Sequence, residues 1–68
     1  MPYYCMNLNA QTNGDHEVHD KNCTRAPEPK NQRDLGYHAT CHTAVAQAKI
    51  INSLADGCYY CSPACHKR

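Results

Sequence analysis

Apolar positions are sparse along this chain, and they gather into a pattern in one segment. Between residues 41 and 55, taking 100° per residue, Cys41, Ala44, Val45, Ala48, Ile51 and Ala55 fall within a sector about 120° wide, one apolar stripe of a surface helix. The spacing predicts a helix over about 41–55, with Thr40 as its N-cap and Gly57 of Asp56-Gly57 as the glycine just beyond its end. The stripe is mostly Ala, so the helix can lie close against a sheet. His42, Lys49 and Ser53 sit on the flank that should face water.

Elsewhere the period is nearer two and the pattern weaker. Residues 3–9 are tolerant of a strand, Thr12-Asn13-Gly14-Asp15 carries an Asn-Gly turn signal, and residues 16–19 alternate around Val18, which together read as a β-hairpin. Residues 24–34 contain Pro27 and Pro29 and almost nothing apolar, so a surface loop is expected, with a short strand over 35–38 before the helix. No internal repeat or low-complexity run interrupts this order. The expected fold is α+β, a single small zinc-stapled domain over 1–68. It has a β-hairpin or three-stranded antiparallel sheet carrying one main helix.

Composition explains why a staple is expected. Leu, Ile and Val number seven in 68 residues, Phe and Trp are absent, and eight Ala and six Cys make up much of the apolar share. Ordering the backbone costs about 1–2 kcal/mol per residue, and so few large side chains rule out a core of ordinary size. A net charge of +1 argues against disorder, and the cysteine content points to a chemical cross-link. No stretch approaches a membrane span, and residues 1–5 have neither the basic nor the apolar region of a signal peptide, so a cytoplasmic protein is expected. Thiols are kept reduced there, which favours metal ligands over three disulfides, and five His weigh the same way. The rival is a secreted disulfide knot whose signal peptide has been removed, with 15 possible pairings.

Two local pairs carry the metal chemistry. His19 and Cys23 are spaced H-x3-C, and Cys58 and Cys61 form a C-x2-C pair after the helix. Tetrahedral zinc takes four N or S donors at about 2.0–2.3 Å, and two such pairs joined by the fold supply them. One Zn²⁺ is therefore expected on His19, Cys23, Cys58 and Cys61, with iron the other metal that suits soft donors. Cys65 and His66 are possible additional ligands, because Pro63 keeps them near the C-x2-C pair. A redox dithiol would instead place the C-x2-C pair at a helix N-terminus. Cys5 and Cys41 read as small core residues. His16 shares a strand face with Val18, away from His19, and His38 and His42 read as exposed polar residues.

The order H-x3-C, polar loop, Gly-aromatic strand, Ala-Val-x-x-Ala helix and Gly-Cys-x-x-Cys resembles the zinc domain of the Ada DNA-repair protein and related modules attached to nucleases. The match runs over 19–63 through His19, Cys23, Ala44, Ala48, Gly57, Cys58 and Cys61. More closely, GDHEVHDKNC (14–23) and DGCYYCSPACH (56–66) resemble a set of short, uncharacterised bacterial proteins. The Ada resemblance implies a scaffold and its zinc. In Ada the first ligand is a methyl-accepting cysteine, and His19 stands there in this chain, so the resemblance does not carry the repair activity over.

A non-catalytic binding module follows, the alternatives being a metal-dependent or nucleic-acid-processing accessory and a metal buffer or sensor. An enzyme would need an open coordination position beside a base, and Glu17, on the face of His19, is the one acidic residue so placed. Lys21, Arg25, Lys30 and Arg33 are interleaved with Asp20, Glu28 and Asp34, so nucleic-acid binding should be weak. A protein partner is expected at exposed tyrosines among Tyr3, Tyr4, Tyr37, Tyr59 and Tyr60, although without Phe or Trp most of these should serve as core. No membrane association is expected, and the chain should be a monomer.

Overall fold

A computed structural model describes residues 3–67 as a small α+β domain. Strands β1 (Tyr3–Asn7), β2 (His16–Asp20), β3 (Gln32–Tyr37) and β4 (Ala55–Gly57) form one sheet in the order β3-β1-β2-β4, and helix α1 (Cys41–Ile51) packs on one face. β1 is antiparallel to both β2 and β3, whereas β4 is parallel to β2. The sheet is thus four-stranded and mixed, one strand more than the sequence pattern predicts. β4 is three residues long, Ala-Asp-Gly, and offers neither alternation nor β-branched side chains. It is a strand because its backbone pairs with β2, and all three residues are buried.

The hairpin turn follows its chemistry. Gly14 has φ +90° and its N–H bonds Gln11 O at 2.8 Å, while the Asn13 side chain receives the Asp15 N–H at 3.0 Å. His16 Nδ1 lies 2.9 Å from Asn7 O and so joins the start of β2 to the end of β1. β3 begins at Gln32, inside the segment whose composition reads as loop. As a sheet edge it can carry Arg33 and Asp34, and such polar edges deter pairing with another chain. The β1–β3 register shifts between Tyr4 and Cys5, opposite Gly36 at φ +77°. This bulge accompanies a buried Leu35 between exposed Arg33 and Tyr37.

Helix α1 starts where expected, with Thr40 extended at its N-cap position, but the Thr40 side chain makes no capping bond. The His38 ring ties the start down instead: Nδ1 lies 2.9 Å from Thr43 Oγ1, and Nε2 lies 3.0 Å from Leu35 O and 2.9 Å from Gln47 Oε1. The helix ends four residues short of the predicted Ala55. The Asn52 side chain takes the Leu54 N–H at 2.9 Å and the Asn52 carbonyl takes the Ala55 N–H at 3.0 Å, a turn that competes with further helix. Gly57 is consequently not a helix cap. A Cβ there would meet Cys65 Cβ at 2.7 Å and the Cys65 backbone at 2.8 Å, so its bare backbone permits a close crossing.

The core between helix and sheet consists of Tyr4, Met6, Val18, Leu35, Cys41, Ala44, Val45, Ala48, Ala55 and Cys65. Only three of the seven Leu, Ile and Val are in it, since Leu8, Ile50, Ile51 and Leu54 are exposed. The tyrosines correct the sequence reading as well: Tyr4 alone is buried, and Tyr3, Tyr37, Tyr59 and Tyr60 face solvent. Alanine and cysteine make up half of this core, and Tyr4 supplies its one aromatic ring. Among the described residues, no helix is long and apolar enough to cross a membrane.

Candidate metal centre

Alternation in β2 assigns the site its face. Val18 packs into the core under α1, so the next residue, His19, turns to the opposite side of the sheet. Beyond β2 the Asp20 side chain accepts the Asn22 N–H at 2.9 Å and the Asp20 carbonyl accepts the Cys23 N–H at 2.9 Å. This tight turn folds Cys23 back toward His19. From the other side, Cys58 leaves β4 with its N–H on Val18 O at 2.9 Å, and the Ser62 N–H closes onto Cys58 O at 2.9 Å, which curls Cys61 back beside Cys58.

The result brings one ligand atom from each of His19, Cys23, Cys58 and Cys61 to within 4.8 Å of all the others. Tetrahedral zinc with bonds of about 2.0–2.3 Å spaces its donors about 3.3–3.8 Å apart, within that bound. His19 and Cys58 are buried and the other two are half-buried. The imidazole of His19 has no exposed surface, and among the described residues neither ring nitrogen has a hydrogen-bond partner, the nearest charge being the Glu17 carboxylate 3.4 Å from Nε2. An unsatisfied buried polar atom typically costs about 1–3 kcal/mol, and a cation at this point would satisfy it.

The electrostatics fit a ligand set. Burial holds the His19 pKa below its usual value against the opposing charge of Glu17, so the ring is neutral and its lone pair free to coordinate. Glu17 Oε1 lies 3.4 Å from His19 Nε2. Carboxylates in that position orient metal-bound imidazoles and raise their basicity. The backbone N–H groups of Asp20 and Arg25 point at Cys61 Sγ and Cys23 Sγ, each at 3.4 Å, and stabilise sulfur that carries negative charge. Burial nevertheless pushes the Cys61 thiol up to about 12. Such a thiol holds its proton at neutral pH unless a cation displaces it.

The remaining sulfurs depart from expectation. Cys65 forms a disulfide with Cys41, so it is not an additional ligand of the first site, and a cross-link coexists with a His/Cys group that could hold a metal where the sequence reading set one against the other. Cys41 does lie in the core, as expected of it, but as half of a bridge from α1 to the segment after β4. His66 is also elsewhere: its Nδ1 lies 3.1 Å from Gly57 O and 3.3 Å from Asp56 Oδ2. The turn through Pro63 carries Cys65 across Gly57 to the helix side of β4, where it meets Cys41. Cys5 is fully buried opposite His19 in the β1–β2 pairing, with a thiol pKa raised by burial.

Arg25 closes the outer rim. Its guanidinium carbon lies 3.7 Å from the centroid of the Tyr60 ring, which links the turn bearing Cys23 to the turn bearing Cys61. Nothing in the sequence singled out that pair. No protein-family model, curated protein or solved structure matches the chain.

Proposed function

We propose that the protein is a non-catalytic binding module whose fold is stapled by one Zn²⁺ on His19, Cys23, Cys58 and Cys61. The observation that carries this is the His19 imidazole, sealed from water without a hydrogen-bond partner and grouped with three sulfurs. Four donors complete a tetrahedron and leave no position for substrate or attacking water, which is the arrangement of a structural site. The staple also answers the thin core. Metal binding in small zinc peptides contributes about 10–16 kcal/mol, comparable to the whole net stability of a domain.

The surface such a module would offer to a protein partner is aromatic. Tyr59 and Tyr60 stack edge to face at 5.2 Å beside the metal centre, and Tyr3 and Tyr37 do so at 5.9 Å. Tyrosine provides large contact area at low entropy cost. Interleaved charges on the Lys21–Arg33 side keep nucleic-acid contact, the accessory role implied by the Ada resemblance, as the weaker reading.

Elemental analysis and chelation test the metal. The purified chain should hold one zinc, and a strong chelator should collapse its amide NMR dispersion. A fully metal-free chain with a well-dispersed spectrum would refute the staple, and stoichiometric iron would change the assignment of the ion.

A further inference from the structure

The Cys41–Cys65 disulfide has a third neighbour. Cys41, His42 and Cys65 each present one ligand atom within 4.8 Å of the other two, on the helix side of the sheet. Cys65 and His42 also line a groove of about 210 Å³ whose rim carries Lys49 and Lys67. We propose that this is a redox-gated second metal site: oxidised, it is a covalent clasp, and reduced, it binds a zinc-class divalent cation through two thiolates and the His42 imidazole.

The chemistry of the three residues supports both states. In the oxidised state the sulfur lone pairs are poor donors and His42 alone holds no metal firmly. Two equivalents of a low-molecular-weight thiol, entering by the groove, convert the disulfide to two thiols and are themselves joined as one disulfide. The cation then displaces one proton from each thiol, and two protons leave to solvent. Cys41 is the first residue of α1, where the unpaired N–H groups of the helix start favour a thiolate, and Lys49 and Lys67 add positive charge along the same groove. His42 is exposed and follows Cys41 directly, so its ring can turn onto the ion without disturbing the core.

This site differs from the first in coordination number. Three protein donors leave the fourth position open toward the lysine-rimmed groove, which suits an anionic ligand from solution. The chain would thus carry one closed site and one open site that exists only under reducing conditions.

Cobalt titration of the full chain, with the first site already filled by one equivalent of zinc, tests this. The oxidised protein should take no cobalt. After phosphine reduction, with two new thiols confirmed by a thiol count, it should take one cobalt per chain and show sulfur-to-cobalt charge-transfer absorption. His42→Ala should weaken that binding at least tenfold while leaving the fold and the zinc content unchanged. The readout is a difference between oxidised and reduced chains, so it does not depend on what the first site holds, and Cys5, free in both states, cancels. A fully reduced, folded chain that binds no cobalt would overturn the proposal, as would cobalt binding equally well to the His42→Ala variant.

Discussion

On the helix side of the sheet, Cys41 and Cys65 close a covalent bridge between α1 and the segment after β4. On the opposite side, Cys58 and Cys61 of that same segment meet His19 and Cys23 of β2 and its turn. The short stretch from Ala55 to His66 is therefore bridged on one face and, in the proposed reading, stapled by zinc on the other, in a chain whose large aliphatic residues are mostly exposed. The two fastenings act differently. A disulfide removes freedom from the unfolded chain, whereas a metal site assembles donors that are useless to one another until the fold brings them together. Most of the stability should therefore reside on the metal side.

The largest effect is expected from Cys58→Ser. It removes a buried donor and leaves the His19 nitrogens unsatisfied, so much of the contribution of about 10–16 kcal/mol from a structural zinc would be lost. The variant should show collapsed NMR dispersion and no stoichiometric zinc. Retention of a cooperative thermal melt would mean that the helix-side bridge alone sustains the fold.

That contrast also marks what the sequence could reveal. The clustering of His19 and Cys23 with Cys58 and Cys61 was legible because each pair is local, and a cluster assembled from two turns writes its spacing into the chain. The disulfide leaves no such trace, since its two cysteines are 24 residues apart with no periodic relation. β4 was hidden for a related reason: Ala55, Asp56 and Gly57 become a strand through backbone pairing to β2, a property of partners more than of side chains. The helix stripe from Cys41 to Ala48 was readable, but its end was misplaced, because Asn52 stops the helix before the glycine that seemed to do so. The exposed tyrosines were misassigned by reasoning from supply. Large side chains were scarce, yet of the five tyrosines Tyr4 alone joins the core.

The next effect belongs to the helix side. Cys65→Ser opens a loop of 24 residues, for which the chain-entropy account gives about 3 kcal/mol. The zinc-loaded variant should stay folded with a lower melting temperature, in contrast to Cys58→Ser. Loss of structure in both would erase the distinction between the two fastenings.

A smaller change tests how the metal side is tuned. Glu17→Gln keeps the shape of the side chain 3.4 Å from His19 Nε2 and removes its charge. Partners of this kind typically account for 10–100-fold in metal affinity. Competition with a zinc chelator should show a loss of about tenfold, with the fold intact when zinc is in excess. Unchanged affinity would mean that Glu17 is only a neighbour of the imidazole.

The smallest expected effect concerns the rim of the metal side, where Arg25 stacks on Tyr60. A cation over a tyrosine face at a solvent-accessible site contributes about 0.5–1 kcal/mol, so Arg25→Ala should lower thermal stability only slightly. The consequence for the metal is more informative than the melt. The pair joins the turn that carries Cys23 to the turn that carries Cys61, and the Arg25 N–H to Cys23 Sγ comes from the backbone and survives the substitution. Zinc affinity should therefore be nearly preserved, while release to a chelator should be faster because the two turns part more readily. Arg25→Lys keeps the charge but loses the planar stack, and should fall between wild type and Arg25→Ala. Identical release rates in all three proteins would assign the stacking no part in holding the centre closed, leaving that task to the four donors alone.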